Sequence, residues 1–338
     1  MTQRLATTIK TALRRTGALD VIARATASDR LDIMLYHGFS EGSRRDPRHP
    51  KLMPVGIFEE HVRIYARYAK PVSLEDFASR PAPGIAITFD DGYAGNYRLA
   101  LPVLQKYGFP ATVFVTTGFA DRTVFLWCDW LEYLVGAVPE FDADLQWRGE
   151  RLPLFWNSAE GARAALLDLK LRLRLASIAE IHGFLRRLET LLNVRYSWET
   201  IPEVLRPLAW DEIRAMRRGG LVSIGAHTVS HPVLSRCTAD VQRFEISTSR
   251  RRIEEELGEK CTLFAYPFGT PADYDETTIR ITAESGFDLA VSTGSGFNRR
   301  TAYDRYRLNR WGADLASDQL SYLAAGGPVA ARFFHGTA

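Results

Sequence analysis

The sequence predicts an α/β protein built on a parallel sheet, and two observations carry that expectation. Six short apolar runs rich in β-branched and aromatic residues, "LDIMLYHG", "GIAITFDDG", "ATVFVTTG", "LVSIGAHT", "TLFAYPFG" and "DLAVSTGSG", alternate with segments of helical periodicity. Strand and helix in alternation bury both faces of a parallel sheet, closed into a barrel or open as a doubly wound layer. In both arrangements functional residues collect beyond the C-terminal ends of the strands. Asp90, Asp91, His227 and the turn from Pro267 to Gly269 all fall at such ends.

In chain order, residues 1–30 form an N-terminal segment in which Leu5, Ile9 and Leu13 recur at helical spacing among Lys10, Arg14 and Arg15. Such an amphipathic basic helix packs on its own domain or rests on a membrane surface. The first strand, "LDIMLYHG", opens a single decorated α/β unit over residues 31–338. Between the second and third runs, "GNYRLALPVLQKYG" reads as a crossover helix. A second, "WDEIRAMRRGG", precedes the fourth run and is closed by Gly219 and Gly220 as a C-cap. Residues 125–205 interrupt the alternation with a helical insertion. There Ile178, Ile181, Leu185, Leu188 and Leu192 keep helical spacing, and Ser177 with Glu180 matches a capping box. No internal repeat, low-complexity tract or Pro/Gly linker divides the chain.

A chain of 338 residues with 46% hydrophobic and 25% charged content has the composition of a soluble globular protein with a packed core. The net charge of +3 lacks the concentrated Lys/Arg stripe of a nucleic-acid binder, so no nucleic-acid partner is expected. Cys128, Cys237 and Cys261 are far apart and in no C-x-x-C spacing, as reduced buried thiols are. The sequence shows neither a signal-peptide core nor a run of 18 apolar residues.

Adjacent residues on a strand point to opposite faces, yet on a turn beyond the strand end, helped by Gly92, Asp90 and Asp91 can both face one pocket. Two neighbouring carboxylates repel unless a positive charge lies nearby or one is neutral. A divalent cation solves this. "GAHTVSHP" supplies what it needs, since His227 and His231, four apart on a helical turn, would present two imidazoles to one metal. Alone, the Asp-Asp pair reads as a solvated turn and the histidine pair as incidental. Together, on two strand ends of one α/β pattern, they favour a metal site. One Asp and two His leave an open position for water, as catalytic zinc does.

These residues carry a resemblance. "TFDDGY" and "HTVSHP" resemble the first two motifs of the polysaccharide deacetylases with the NodB-homology domain, carbohydrate esterase family four. With "WDEIRAMRRGGLVSIGAH" and "FAYPFG" in the same order, the resemblance covers roughly residues 80 to 310. It implies a distorted (β/α) TIM-like barrel with fewer than eight strands, and removal of acetyl groups from N- or O-acetylated sugars with a divalent ion. By the same resemblance Asp91, His227 and His231 are the metal ligands and Asp90 is the general base. The backbone N–H of Phe268 is then an oxyanion donor, on a turn that Gly269 permits. Zn2+ is the expected ion, and Co2+, Ni2+ or Mn2+ suit the same donors.

The pattern departs from the family in two places. Many members carry an Arg that steadies the base where this chain has Ala265; "YDRYRLNRW" offers Arg307 and Arg310, of which Arg310 is the candidate. Amide cleavage also needs a general acid, because an amine anion will not leave. In many members that acid is the His of a Leu-x-His motif, and here the stretch is Leu308, Asn309, Arg310. His37 in "MLYHGF" resembles the N-terminal "YH" of the subgroup acting on poly-N-acetylglucosamine, which implies the acid role for it. His335 in "FFHGTA" is the rival, while His49, His61 and His182 carry no expected role. Trp127, Trp130, Tyr133 and Trp311 could stack on sugar rings, with core packing the favoured reading.

The expected activity is metal-dependent removal of an N-acetyl group from an N-acetylhexosamine in a glycan, exopolysaccharide or glycolipid precursor. A sugar O-acetyl esterase and a catalytically silent carbohydrate-binding protein are the alternatives. The expected location is the cytoplasm or the inner face of the membrane, with an acetylated sugar or glycan as partner.

Overall fold

Each of the six apolar runs forms a strand of one mainly parallel sheet in the computed structural model, which describes residues 18–26, 29–46, 49–313 and 317–326. In chain order the strands are β1 (Arg30–Tyr36), β2 (Phe39–Ser40), β3 (Met53–Pro54), β4 (Gly84–Phe89), β5 (Ala111–Val115), β6 (Phe141–Trp147), β7 (Glu150–Trp156), β8 (Val222–Ala226), β9 (Leu263–Ala265), β10 (Leu289–Val291), β11 (Asn298–Arg299) and β12 (Trp311–Gly312). The sheet runs β10-β9-β8-β5-β4-β1-β11, with β12 also paired to β1.

Residues 308–312 span the gap between the last long strand and the first. Leu308 bridges Val291 of β10, while Trp311 and Gly312 pair in parallel with Met34 and Leu35 of β1. Backbone hydrogen bonds fix the seam: Leu308 N donates to Ala290 O at 3.1 Å, and Ser292 N donates to Leu308 O at 2.8 Å. The result is a distorted α/β barrel in which one irregular segment stands where the eight-stranded form would have regular strands.

Strand alternation sorts the side chains into two layers. Met34, Tyr36, Ile87, Phe89 and Val113 pack against Phe58, Val62 and Tyr65 of the helix Val55–Tyr68, forming the main core. The opposite face carries Leu31, Ile33, Ala86, Phe114 and Ala265 in a smaller cluster. Each such fully buried large side chain contributes roughly 1.5–3 kcal/mol. A Cβ on Gly225 of β8 would lie 2.5 Å from the Phe114 ring and 2.9 Å from Leu263 O, so glycine is needed there.

The insertion at 125–205 is not helical throughout. It holds the helices Trp127–Ala137, Ala159–Leu173 and Ile178–Leu192, but β6 and β7 form an antiparallel hairpin between the first two. The hairpin turns through Arg148 at φ 55° and Gly149 at φ 80°, the left-handed pair that matches strand twist. Ser177 and Glu180 make the expected capping box, and Leu185, Leu188 and Leu192 are buried in the insertion's own core. The described part of the N-terminal segment is the helix Ala18–Thr26, whose Leu19 sits in the main core. Leu5, Ile9, Leu13, Lys10, Arg14 and Arg15 lie outside the described residues. Among the described residues no helix is long and apolar enough to cross a membrane.

Candidate metal centre

Asp90 continues the inward-facing row Ala86–Thr88 past the end of β4, and its amide donates to Tyr36 O at 2.9 Å. Alternation would send Asp91 to the opposite face. Instead Asp91 takes φ 74° and Gly92 φ 86°, and the left-handed turn swings the second carboxylate back beside the first. The two are then held by different partners. Arg310 donates Nη1 to Asp90 Oδ1 and Nη2 to Asp90 Oδ2, each at 2.7 Å, while its Nε donates to Ser292 O at 2.8 Å. Asp91 faces imidazoles: its Oδ1 lies 3.3 Å from His231 Nε2 and 3.7 Å from His227 Nε2.

His227 follows β8 directly, its amide donating to Val115 O at 2.9 Å. Its Nδ1 is 2.7 Å from Ala265 O, which fixes the proton on that nitrogen and turns the Nε2 lone pair toward the carboxylates. His231 is not on a helical turn with His227, contrary to the sequence expectation. The segment is a loop in which Thr228 (φ 66°) and His231 (φ 58°) are both left-handed, and the two rings meet edge to face at 4.9 Å. Buried Glu245 imposes this shape by accepting from Val229 N at 2.8 Å, Ser230 N at 2.9 Å and Ser230 Oγ at 2.5 Å.

Three features fit this cluster to a divalent cation. One donor atom each from Asp91, His227 and His231 lies within 4.8 Å of the others. Asp91 Oδ1 is buried without a hydrogen-bond partner among the described residues. Burial brings the His231 pKa down to about 3, so a neutral ring, not an imidazolium, faces the carboxylate. Burial opposes ionisation of Asp90 and Asp91, yet the cationic and imidazole neighbours outweigh it and hold both pKa values below the ordinary carboxylate range. The chemistry available is a cation-binding donor set beside a separate carboxylate kept ionised by a guanidinium.

Around this centre stand further groups. Phe268, at φ 59° on the turn with Gly269, packs its ring 4.9 Å from His231, and its amide has no hydrogen-bond partner among the described residues. His37 is half-buried just past β1, its carbonyl accepting from Asn96 Nδ2 at 2.8 Å. Burial lowers the His37 pKa, against the pull of the Asp91 and Asp90 charges. Lys51 Nζ is ion-paired with Asp129 and lies 3.8 Å from Asp91 Oδ2. Tyr93 completes that cluster, donating its hydroxyl to Asp129 Oδ2 at 2.7 Å beneath the ammonium.

The polysaccharide deacetylase family model matches residues 78–290, more than half of the chain, and spans both carboxylates and both imidazoles. The chain belongs to the polysaccharide deacetylase family. It is 23% identical over 292 residues to YxkH of Bacillus subtilis (strain 168), which bears a polysaccharide deacetylase name; the match covers 83% of this chain and 70% of that one. Among solved structures, the Streptococcus pyogenes deacetylase PplD in complex with acetate superposes with a TM-score of 0.55 at 19% identity, covering 87% of this chain and 97% of its own. IcaB from Ammonifex degensii superposes at 0.52 and 21% identity, covering 88% and 96%. These likenesses place the fold among the deacetylase barrels.

Of the residues singled out in the sequence, the fold gathers His37, Asp90, Asp91, His227, His231, Phe268 and Arg310 around one point at the strand ends. Arg310 comes from the seam segment, so the guanidinium reaches Asp90 from a position other than Ala265 of β9. Arg307 turns away to Asp304 and Glu276 at the surface. His335 lies outside the described residues. Trp127 is core, while Trp311 Nε1 donates to Asp32 Oδ1 at 3.0 Å. His61 bonds Tyr36 through Nδ1 at 2.9 Å. Sequence reasoning missed Lys51, Tyr93, Asp129 and Glu245; of these only Tyr93 carried a signal, as the last residue of "TFDDGY".

Proposed function

We propose that this member of the polysaccharide deacetylase family hydrolyses the N-acetyl group of an N-acetylhexosamine in a glycan, an exopolysaccharide or a glycolipid precursor. The observation that carries this reading is the division of labour between adjacent carboxylates, Asp91 toward two imidazoles and Asp90 toward Arg310. Asp91, His227 and His231 would hold a divalent cation, Zn2+ being the first choice for one carboxylate and two imidazoles. Such a cation, when bound, acidifies water and polarises the acetyl carbonyl.

Asp90, ionised at neutral pH and aimed by the two-pronged guanidinium, takes a proton from the attacking water as general base. Arg310 touches Asp90 alone among the reacting groups and is a positioning residue. The free Phe268 amide donates to the oxygen on which charge develops. His37 delivers a proton to the departing amine as general acid; burial lowers its pKa, so the ring rests neutral and must first take up the proton that Asp90 removes from the water. The acetate-bound PplD structure, which shares the barrel, supports an acetyl-releasing reaction.

Acetate release from N-acetylated oligosaccharides tests the proposal. Asp90→Asn should lower kcat by about 100- to 10,000-fold, the range of a lost general base. His231→Ala should abolish the metal-dependent part while circular dichroism stays native. Undiminished release by both variants would refute the assignment. Release from O-acetylated sugars alone would redirect it to an esterase, and glycan binding with no release from any acetylated sugar to a silent binding protein.

A further inference from the structure

The insertion carries a separate cleft of about 430 Å3, open to solvent on one side. Phe125, Trp130, Tyr196 and Trp198 form its wall, with Phe125 and Trp198 ring centroids only 4.1 Å apart and Phe125 and Tyr196 4.8 Å apart. Two of these residues are tied by Glu189, itself a lining residue, which accepts from Trp130 Nε1 at 3.1 Å and from Tyr196 N at 2.7 Å. Trp198 and Phe125 remain partly exposed, which a purely structural cluster would not require.

Polar groups line the same space. His182 Nε2 is buried with no hydrogen-bond partner among the described residues, although its ring lies 5.9 Å from Trp130 at the cavity wall. Arg186 and Arg195 stand at the rim, Arg195 near enough to Glu199 for its charge to act on that carboxylate. A ring with flat C–H faces and a belt of hydroxyls would satisfy both the aromatic wall and the polar rim.

Packed residues link the cavity to the site. Val124, one of its lining residues, packs on Gly118, whose amide donates to Val229 O at 2.9 Å, between the two metal-ligand histidines in sequence. Phe119 fills the remaining gap, touching Tyr93 on one side and Trp198 on the other. We infer that this cavity is a second saccharide subsite, in which a neighbouring pyranose of a substrate chain stacks on Trp198 and Phe125 while another sugar of the same chain reacts at the metal centre. The inference rests on the deacetylase reading and deepens it, because it makes the substrate an oligosaccharide or polysaccharide and not a monosaccharide.

Fluorescence anisotropy of reducing-end-labelled tetrasaccharides of N-acetylglucosamine and of N-acetylgalactosamine, titrated with the full-length protein, tests it. At least one is expected to bind, with Trp198→Ala raising its Kd about ten-fold or more. Phe125→Leu, a milder change kept in case Trp198→Ala misfolds, should weaken binding in the same direction. Binding of neither tetrasaccharide, equal binding with and without the Trp198 ring, or displacement by a uridine diphosphate probe in place of glycan would overturn it. Acetate is not the readout, so lost binding removes the subsite alone, and absent acetate release with retained binding removes the reaction alone.

Discussion

Arg310 grips Asp90 through two hydrogen bonds of 2.7 Å across 220 residues of chain, from the very segment that bridges the first and last strands of the barrel. Closure of the barrel and orientation of the carboxylate are therefore one structural event. Arg310→Met leaves a buried carboxylate without its cation, and breaking such a pair costs about 3–5 kcal/mol. Burial then dominates Asp90 and raises its pKa, so the acid limb of kcat/KM should move to higher pH, with Tm falling in parallel. Arg310→Lys, a charge without the fork, should recover part of the stability but not the wild-type kcat. An unmoved pH profile in Arg310→Met would show that the pair is structural only.

Glu245 gives the histidine loop its shape. Glu245→Ala removes three hydrogen bonds from Val229 and Ser230 and leaves the left-handed loop with weaker restraints, among them His231 N donating to Thr228 Oγ1 and Gly118 N to Val229 O. Metal affinity should drop by about 10- to 100-fold, the usual effect of losing a group that orients ligands. Competition with a chromogenic chelator measures this directly, and an affinity equal to wild type would mean that the loop shapes itself.

How much of this was legible beforehand follows from where each interaction lies in the chain. The six strands were readable because both faces of a parallel strand are buried and the runs are apolar throughout. Asp90, Asp91 and His227 were readable because each stands at the end of such a run, and His231 from its spacing of four from His227. The β6–β7 hairpin was not, since "FDADLQW" mixes charge with apolar residues and the turn is Arg-Gly, outside the familiar Asn-Gly signal. The histidine loop looked helical by spacing alone, and Glu245, 15 residues away from Ser230, overrides that local pattern. Lys51 and Asp129 meet only in three dimensions, one from a proline-rich loop and one from the insertion.

Asp32 supplies a pH signature far from the metal centre. Burial pushes its pKa up to about 6, against the opposing pull of Arg30 at 2.6 Å and the Trp311 hydrogen bond. The folded carboxyl thus binds a proton more readily than the unfolded one, whose value is near 3.8. The associated stability is complete below the unfolded value and is lost as pH rises through about 6, a change on the order of 3 kcal/mol. Asn cannot ionise, so the stability difference between wild type and Asp32→Asn should favour wild type more at about pH 4 than at about pH 7. Urea denaturation of both proteins across this window checks it, and a constant difference would contradict the shift.

Lys51 separates the needs of the fold from those of the ion. Its ammonium neutralises Asp129, which is buried with, among the described residues, only the Tyr93 hydroxyl as further support, so Lys51→Met should lower Tm by the equivalent of about 3 kcal/mol or more. The same ammonium stands 3.8 Å from Asp91, and a like charge so close to that carboxylate opposes a cation on it. Removing it should tighten divalent binding by about ten-fold or more while the empty protein becomes less stable. Mass action then predicts that saturating Zn2+ raises the Tm of Lys51→Met further than that of wild type. Scanning calorimetry with and without the ion reads both effects in one experiment. If affinity and stability fell together, Lys51 would act on the metal ligands through packing and not through its charge.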